Sequence, residues 1–297
     1  MEPTAPDASV TLVWGPAGFG PPTPTTAWVQ DQGLLRGWGV FETMLAVDFD
    51  VPLWSRHWAR LQHGARQLEI PLPPEQVFLA ALPQIMRAAS STFPQPTTTP
   101  YYRLRLTVTS GEGRTWMQPG ETPTCVLTVS PWSAPLPMAQ QSGLRLLSYP
   151  HSFAPPMALR GCKHTSYLPW LMAARHAQSN GCDDAVLLDP SGFVIETSRR
   201  NLFVWRNEQL WTPPLSSGCL PGVMRGLLLE IAARLGIRVE EQPLTAADGL
   251  AADHVFLTSA VTVVQSVREW DDCKYPRSEW PCALQDMEHE LHQALIP

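Results

Sequence analysis

No run of apolar residues in this chain approaches the length needed to cross a bilayer, and none of its six cysteines belongs to a CxxC pair. The cysteines stand apart at 125, 162, 182, 219, 273 and 282, a spacing that fits neither a zinc site nor a small disulfide scaffold, so free thiols and no bound metal are expected. Charge is scarce at 16%, and the 21 Lys and Arg are scattered against 27 Asp and Glu. A net charge of -6 without a basic patch gives a nucleic-acid backbone or an anionic membrane surface nothing to hold. The opening MEPTAPDASV has no basic segment followed by an apolar stretch. A cytoplasmic protein acting on a small molecule is the expectation.

The 297 residues are 44% hydrophobic, enough for a substantial core. The 31 prolines gather in segments such as GPPTPTT and FPQPTTTP, which read as stiffened loops. GVFETMLAV at 39–47 reads as a strand, with VPLW at 51–54 placed to pair with it as a hairpin. Trp54, Trp58, Leu61, Ala65 and Leu68 then mark one face of a helix capped by Ser55, with Arg60 at or beyond the border of that face. A second helix over 75–89 is interrupted by Pro83, which should kink or split it. YYRLRLTVT at 101–109 alternates strictly, so Arg103, Arg105, Thr107 and Thr109 share one side of a strand and Tyr102, Leu104, Leu106 and Val108 the other.

PWSAPLPMAQQSG at 131–143 separates this α/β part from a strand-rich part. The expected organisation is an N-terminal domain over 1–130, a linker over 131–143 and a C-terminal domain over 144–297. In the second half, strands are expected near 144–149, 185–189, 193–196, 201–205 and 210–212, with one helix over 222–236.

Chemistry concentrates in three places. SSGCLPG precedes the 222–236 helix, and such small residues let backbone N–H groups meet a ligand at the positive end of a helix dipole. Lys163, in LRGCKHTSYL, follows an apolar approach and precedes a helix, a setting in which an amine can be sheltered enough to act as a nucleophile. Glu196 ends an apolar strand in FVIETSRRNLF, where it could hold a proton on a heterocyclic nitrogen.

These segments fall into an ordered series. DQGLLRGWGVFETM, RHWARL, GCKHTSYL and the long stretch DDAVLLDPSGFVIETSRRNLFVWRNEQLWTPPLSSGCLPGVMRGLLLE together resemble the class IV aminotransferase family, the fold-type IV group of pyridoxal phosphate enzymes, from about Gly33 to about Val267. The resemblance implies a mixed α/β fold, a small N-terminal α/β domain and a larger barrel-like, strand-rich C-terminal domain, with pyridoxal 5'-phosphate in the cleft between them. It also implies a homodimer. Lys163 would carry the cofactor covalently, Glu196 would pair with its ring nitrogen, and Tyr167 would lie near its ring hydroxyl. Arg60 with Gly222, Val223 and Met224 would hold its phosphate, and Asn201 belongs to the same cofactor-binding set.

Within the family, KHTS, GVMR, TSGEGR and Ala260, in place of a phosphate-binding threonine, are similar to the aminodeoxychorismate lyases. Tyr167 and YYRLR are similar instead to branched-chain and related aminotransferases. The lyase substrate is a dicarboxylate, and Arg103, Arg105 and Arg114 are the candidate clamps. A lyase is the first expectation, a branched-chain or D-amino acid aminotransferase the second, and a cofactor-binding protein without turnover the third.

Overall fold

The computed structural model describes residues 9–15, 18–22, 29–93, 100–113, 115, 117–276 and 280–295. They form two compact units. The first gathers the described residues up to Ala134 together with Cys162–Tyr167, and the second contains Pro135–Gly161 and Leu168–Leu295. Lys163 thus folds with the first unit, although it lies in sequence beyond the 131–143 linker expected to end that domain.

The first unit is a five-stranded antiparallel sheet: β1 (Val10–Gly15), β2 (Gly18–Gly20), β3 (Gly39–Val47), β4 (Tyr101–Thr109) and β5 (Thr124–Trp132), in the order β2-β1-β5-β4-β3. Helices α1 (Gln32–Arg36), α2 (Trp54–Gln67) and α3 (Glu75–Thr92) complete it. Tyr102, Leu104, Leu106 and Val108 of β4 are buried in one core with Trp58 and Leu61 of α2 and Phe78, Ile85 and Met86 of α3. Arg103, Arg105, Thr107 and Thr109 occupy the other face, half-buried. The register is fixed by this alternation. A slip of one residue would exchange the apolar side chains for two arginines, and each buried aliphatic side chain is worth about 1.5–3 kcal/mol.

The second unit is a nine-stranded mixed sheet: β6 (Leu144–Ser148), β7 (Asp184–Leu188), β8 (Val194–Thr197), β9 (Asn201–Arg206), β10 (Gln209–Thr212), β11 (Val239–Glu241), β12 (His254–Ser259), β13 (Val263–Trp270) and β14 (Cys273–Lys274). The order is β11-β10-β9-β12-β13-β6-β7-β8, with β14 on β13. Helices α4 (Leu168–Ser179), α5 (Val223–Arg234), α6 (Ala246–Leu250) and α7 (Cys282–Gln293) belong to it. Val186, Val194, Leu202, Val204, Val255, Leu257 and Trp270 share one core, while Phe203 stacks on Phe256 at 5.3 Å between centroids.

Three local expectations are corrected. Residues 51–54 do not pair with β3, whose partner is β4; only a Val47–Asp50 bridge forms before the chain enters α2. Leu53, not Ser55, caps α2, with no side-chain hydrogen bond. Pro83 does not split α3, which continues through it, because Leu79, whose carbonyl loses the missing N–H, is exposed and can be served by water.

Candidate active site

In the first unit, the segment bearing Lys163 is laid along the edge of β3. The Phe41 N–H donates to the Lys163 carbonyl at 2.8 Å, and the Thr165 N–H donates to the Gly39 carbonyl at 2.8 Å, so this stretch adds to the sheet edge as a short antiparallel bridge. Gly37 makes the approach possible. Its φ of +69° caps α1 in the left-handed region, and a Cβ there would come 2.4 Å from the Ser166 Oγ. The Thr165 and Ser166 hydroxyls both donate to the Gly37 carbonyl, at 2.7 and 3.0 Å. The glycines of DQGLLRGWGV therefore seat the lysine segment by removing side chains from its path.

Phe41 organises what surrounds Lys163. The Lys163 Nζ lies 4.6 Å from the centre of the Phe41 ring, the Arg105 guanidinium carbon lies 3.9 Å from it, and Tyr167 meets it edge-on at 5.7 Å. Cations over an aromatic face are held by the ring quadrupole. The Arg105 Nε donates to the Thr107 Oγ1 at 3.1 Å, and no carboxylate pairs with Arg105 among the described residues. Burial lowers its pKa. Arg103 instead lies over Trp132, 5.2 Å from the ring centre. Arg114 lies outside the described residues.

Arg60 is more sheltered than its place on the helix suggests, with 9% of its side chain exposed, because it is bound edge-on to a carboxylate that sequence reasoning passed over. Glu42 of β3 accepts from the Arg60 Nε at 2.7 Å and from Nη2 at 2.6 Å, and its Oε2 is 2.7 Å from the His57 Nδ1. Arg60 and His57 hold the carboxyl at a pKa of about 2 against the opposing effect of burial, which is the largest single influence. Burial lowers the pKa of His57, against the pull of Glu42. The readable signal was a glutamate inside an otherwise apolar strand, opposite a histidine and an arginine three residues apart on one helix.

In the second unit, Glu196 of β8 is 7% exposed and held from three directions. Its Oε2 accepts from the Leu220 N–H at 3.0 Å and from the Asn201 Nδ2 at 3.4 Å, and its Oε1 accepts from the Trp170 Nε1 at 3.3 Å. Trp170 had not been singled out in the sequence. Beneath this lies a buried network on Asp184: the Arg200 guanidinium pairs with it at 2.7 Å, and the hydroxyls of Thr197 and Ser198 donate to it. This pins the turn between β8 and β9 and with it both Glu196 and Asn201.

Gly222 caps α5 without any side-chain hydrogen bond to the first turn, where Val223 and Met224 begin the helix. The arginine after them, Arg225, turns away: it donates to the Pro213 carbonyl at 2.9 Å and pairs with Glu241. Ala260 stands in the turn between β12 and β13.

The family model for amino-transferase class IV matches residues 39–270. A protein of Methanocaldococcus jannaschii assigned as a branched-chain-amino-acid aminotransferase is 33% identical over 82% of both chains. A bifunctional aminodeoxychorismate lyase and D-amino acid transaminase of Mycobacterium tuberculosis is 27% identical over 84% of this chain and 87% of its own. The crystal structure of 4-amino-4-deoxychorismate lyase from Pseudomonas aeruginosa superposes with a TM-score of 0.76 at 29% identity, over 95% of this chain and 97% of that one. With the lysine, glutamate and glycine-led helix of its ordered motifs each in a defined setting, the chain belongs to the class IV aminotransferase family and has the mixed α/β architecture of the fold-type IV pyridoxal phosphate enzymes.

Proposed function

We propose that this protein is a pyridoxal phosphate-dependent 4-amino-4-deoxychorismate lyase that forms 4-aminobenzoate and pyruvate, working as a cytoplasmic homodimer in folate biosynthesis. The residues fit the cofactor. At Gly222 a Cβ would come 1.9 Å from the Asn201 Oδ1, so any larger residue there displaces Asn201, and the first turn of α5, which no side chain caps, offers its N–H groups to a phosphate. Arg60 adds a cation to that task. Glu196, fixed by Leu220, Asn201 and Trp170, is suited to keep a proton on the ring nitrogen, and Tyr167 to meet the ring hydroxyl.

Pyridoxal phosphate, when bound, supplies an electron sink for bond breaking next to the substrate nitrogen. The Lys163 amine would hold the cofactor and then remove the proton from the substrate ring carbon that carries that nitrogen. Loss of that proton together with the enolpyruvyl C–O bond would make the substrate ring aromatic, and the departing enolate would take up a proton on its methylene carbon to become pyruvate.

The observation that carries the lyase reading is Arg105: a half-buried guanidinium on the Phe41 ring beside Lys163, with no carboxylate partner of its own among the described residues. A substrate carboxylate would complete it, and Arg103, two residues along the same strand face, offers a second cation to a dicarboxylate. Arg114 stays in the proposal as a third clamp.

A class IV aminotransferase is the second reading, favoured by Tyr167 packed on Phe41 and by the 33% identical relative. There Lys163 would move the same proton to a different carbon. The deciding assay supplies the protein and pyridoxal phosphate with enzymatically made aminodeoxychorismate and follows 4-aminobenzoate and pyruvate. Both products, lost in Lys163→Ala, are the expected result. A cofactor-loaded protein that makes neither, yet exchanges amino groups between amino acids and keto acids, would replace the lyase with the aminotransferase.

A further inference from the structure

Arg225 breaks two local rules at once, and no step above uses it. It is the third residue of α5, so its cation sits in the first turn, where the helix dipole favours an anion, and the residue is only 4% exposed. Burying a guanidinium is expensive unless its donors are taken up. Nη2 donates to the Pro213 carbonyl at 2.9 Å and to the Glu241 Oε2 at 2.5 Å, while Nε meets no hydrogen-bond partner among the described residues. Glu241 is 46% exposed, so water screens its charge and it offsets the cation only in part. A residue held where dipole, burial and incomplete pairing all oppose it has a task that outweighs them.

What the side chain joins shows the task. Pro213 follows the last residue of β10 and opens the loop that ends at Gly222, and Glu241 ends β11, which pairs with β10 through Thr212. The root of Arg225 lies against the helix cap, since a Cβ on Gly222 would come 3.3 Å from the Arg225 Cβ. From the first turn of α5 the side chain therefore reaches back and ties the helix to the ends of two strands. Near the other end of the same loop, the Leu220 N–H donates to Glu196 and the Leu220 carbonyl accepts from Asn201. The loop that leads into α5 is thus held at Pro213 by Arg225 and at Leu220 by the groups beside the cofactor ring.

We propose that Arg225 is a positioning residue for the cofactor phosphate: its bonds to Pro213 and Glu241 fix the first turn of α5 against the sheet, so that the N–H groups of that turn keep one direction towards the phosphate. This rests on the assignment of the first turn of α5 as the phosphate site. Glu241 separates positioning from plain electrostatics. Removing its carboxylate leaves the Arg225 charge less compensated, so if Arg225 served the phosphate through charge alone, phosphate would bind more tightly afterwards. If Arg225 positions the turn, the same change loosens it and phosphate binds more weakly, despite the gain in positive potential.

The test measures dissociation constants of the apoprotein for pyridoxal phosphate and for pyridoxal, which lacks the phosphate, by quenching of tryptophan fluorescence. The preference for pyridoxal phosphate isolates the phosphate contribution. Arg225→Met keeps the length of the side chain and removes both bonds, and the preference is expected to fall about tenfold or more with pyridoxal binding unchanged, the scale of one charge-assisted hydrogen bond. Glu241→Ala removes one of the two bonds, and a fall of about threefold is expected. An unchanged preference in Arg225→Met overturns the proposal, as does an unchanged or higher one in Glu241→Ala, or equal weakening of both ligands, which is what a merely structural role would give. Gly222→Ala separates the two levels: if it leaves the preference intact, the assignment of the first turn of α5 itself fails, whereas a loss there without a loss in Arg225→Met sinks only the positioning role. Should Arg225→Met not fold, Glu241→Ala decides alone, because its half-exposed carboxylate can be removed without opening the core.

Discussion

A Cβ placed on Gly222 would lie 1.9 Å from the Oδ1 of Asn201, so these two residues can occupy their positions only while residue 222 is glycine. Asn201 also donates to the Leu220 carbonyl at 2.9 Å and to Glu196, which ties the entrance of α5 to the carboxylate. Gly222→Ala must push Asn201 out of both bonds. The expected result is a loss of pyridoxal phosphate affinity of about tenfold or more, with a stability change of about 1–3 kcal/mol. Cofactor absorbance during titration and a thermal melt of the apoprotein check the two parts separately.

Arg105 is predicted to serve substrate and not stability. Arg105→Met keeps a long side chain over Phe41 and removes the cation. A charge-assisted bond to a carboxylate is worth about 1.5–3 kcal/mol, so kcat/KM should fall about 10- to 100-fold. The melting temperature should hold or rise, because a half-buried guanidinium with no carboxylate partner among the described residues is removed. A large fall in melting temperature with kcat/KM intact would mean that Arg105 is structural.

The Asp184 network should behave in the opposite way. Asp184 is fully buried and Arg200 nearly so, and Asp184→Ala would leave the arginine charge uncompensated, a defect that costs about 3–5 kcal/mol. Urea denaturation should show this as a lower midpoint. Because the same network pins the turn after Glu196, the surviving folded protein should also bind pyridoxal phosphate more weakly.

How far the sequence could be read is visible in these residues. Lys163 and Glu196 stood out because they sit in a long ordered series of motifs, and the strict alternation of β4 predicted both of its faces. Glu42 did not stand out, since a glutamate inside an apolar strand is recognisable only once His57 and Arg60 are known to face it across the fold. Trp170 escaped for the same reason: its indole N–H matters only through Glu196, which is remote in sequence. The hairpin expected at 51–54 failed because local strand propensity cannot see that β3 already has a full partner in β4. Pro83 misled because its effect depends on whether the orphaned carbonyl meets water, which is a fact of burial and not of sequence.

Acid stability depends on two kinds of group. Glu42 falls from 4.5 to a folded value of about 2, so its stabilisation is complete above pH 4.5 and is lost as pH drops from there through about 2. At about 1.4 kcal/mol per unit this amounts to about 3 kcal/mol. His254 acts earlier. It stacks on Trp280 at 4.6 Å with a buried Nδ1 that has no hydrogen-bond partner among the described residues, and burial lowers its pKa from 6.5. The unfolded chain then binds a proton below pH 6.5 that the folded chain refuses, so this contribution is present above pH 6.5 and is lost as pH falls through the lower folded value. Unfolding free energy by urea should therefore be level above pH 6.5, decline below it, and decline more steeply below pH 4.5. His254→Phe keeps the stack on Trp280 and removes the titration, so it should make the upper part of the decline shallower, the rest of that slope coming from other histidines whose pKa burial lowers, His57 among them, and leave the lower part, to which Glu42 contributes, in place. An unchanged upper slope in that variant would show that His254 is not the group responsible.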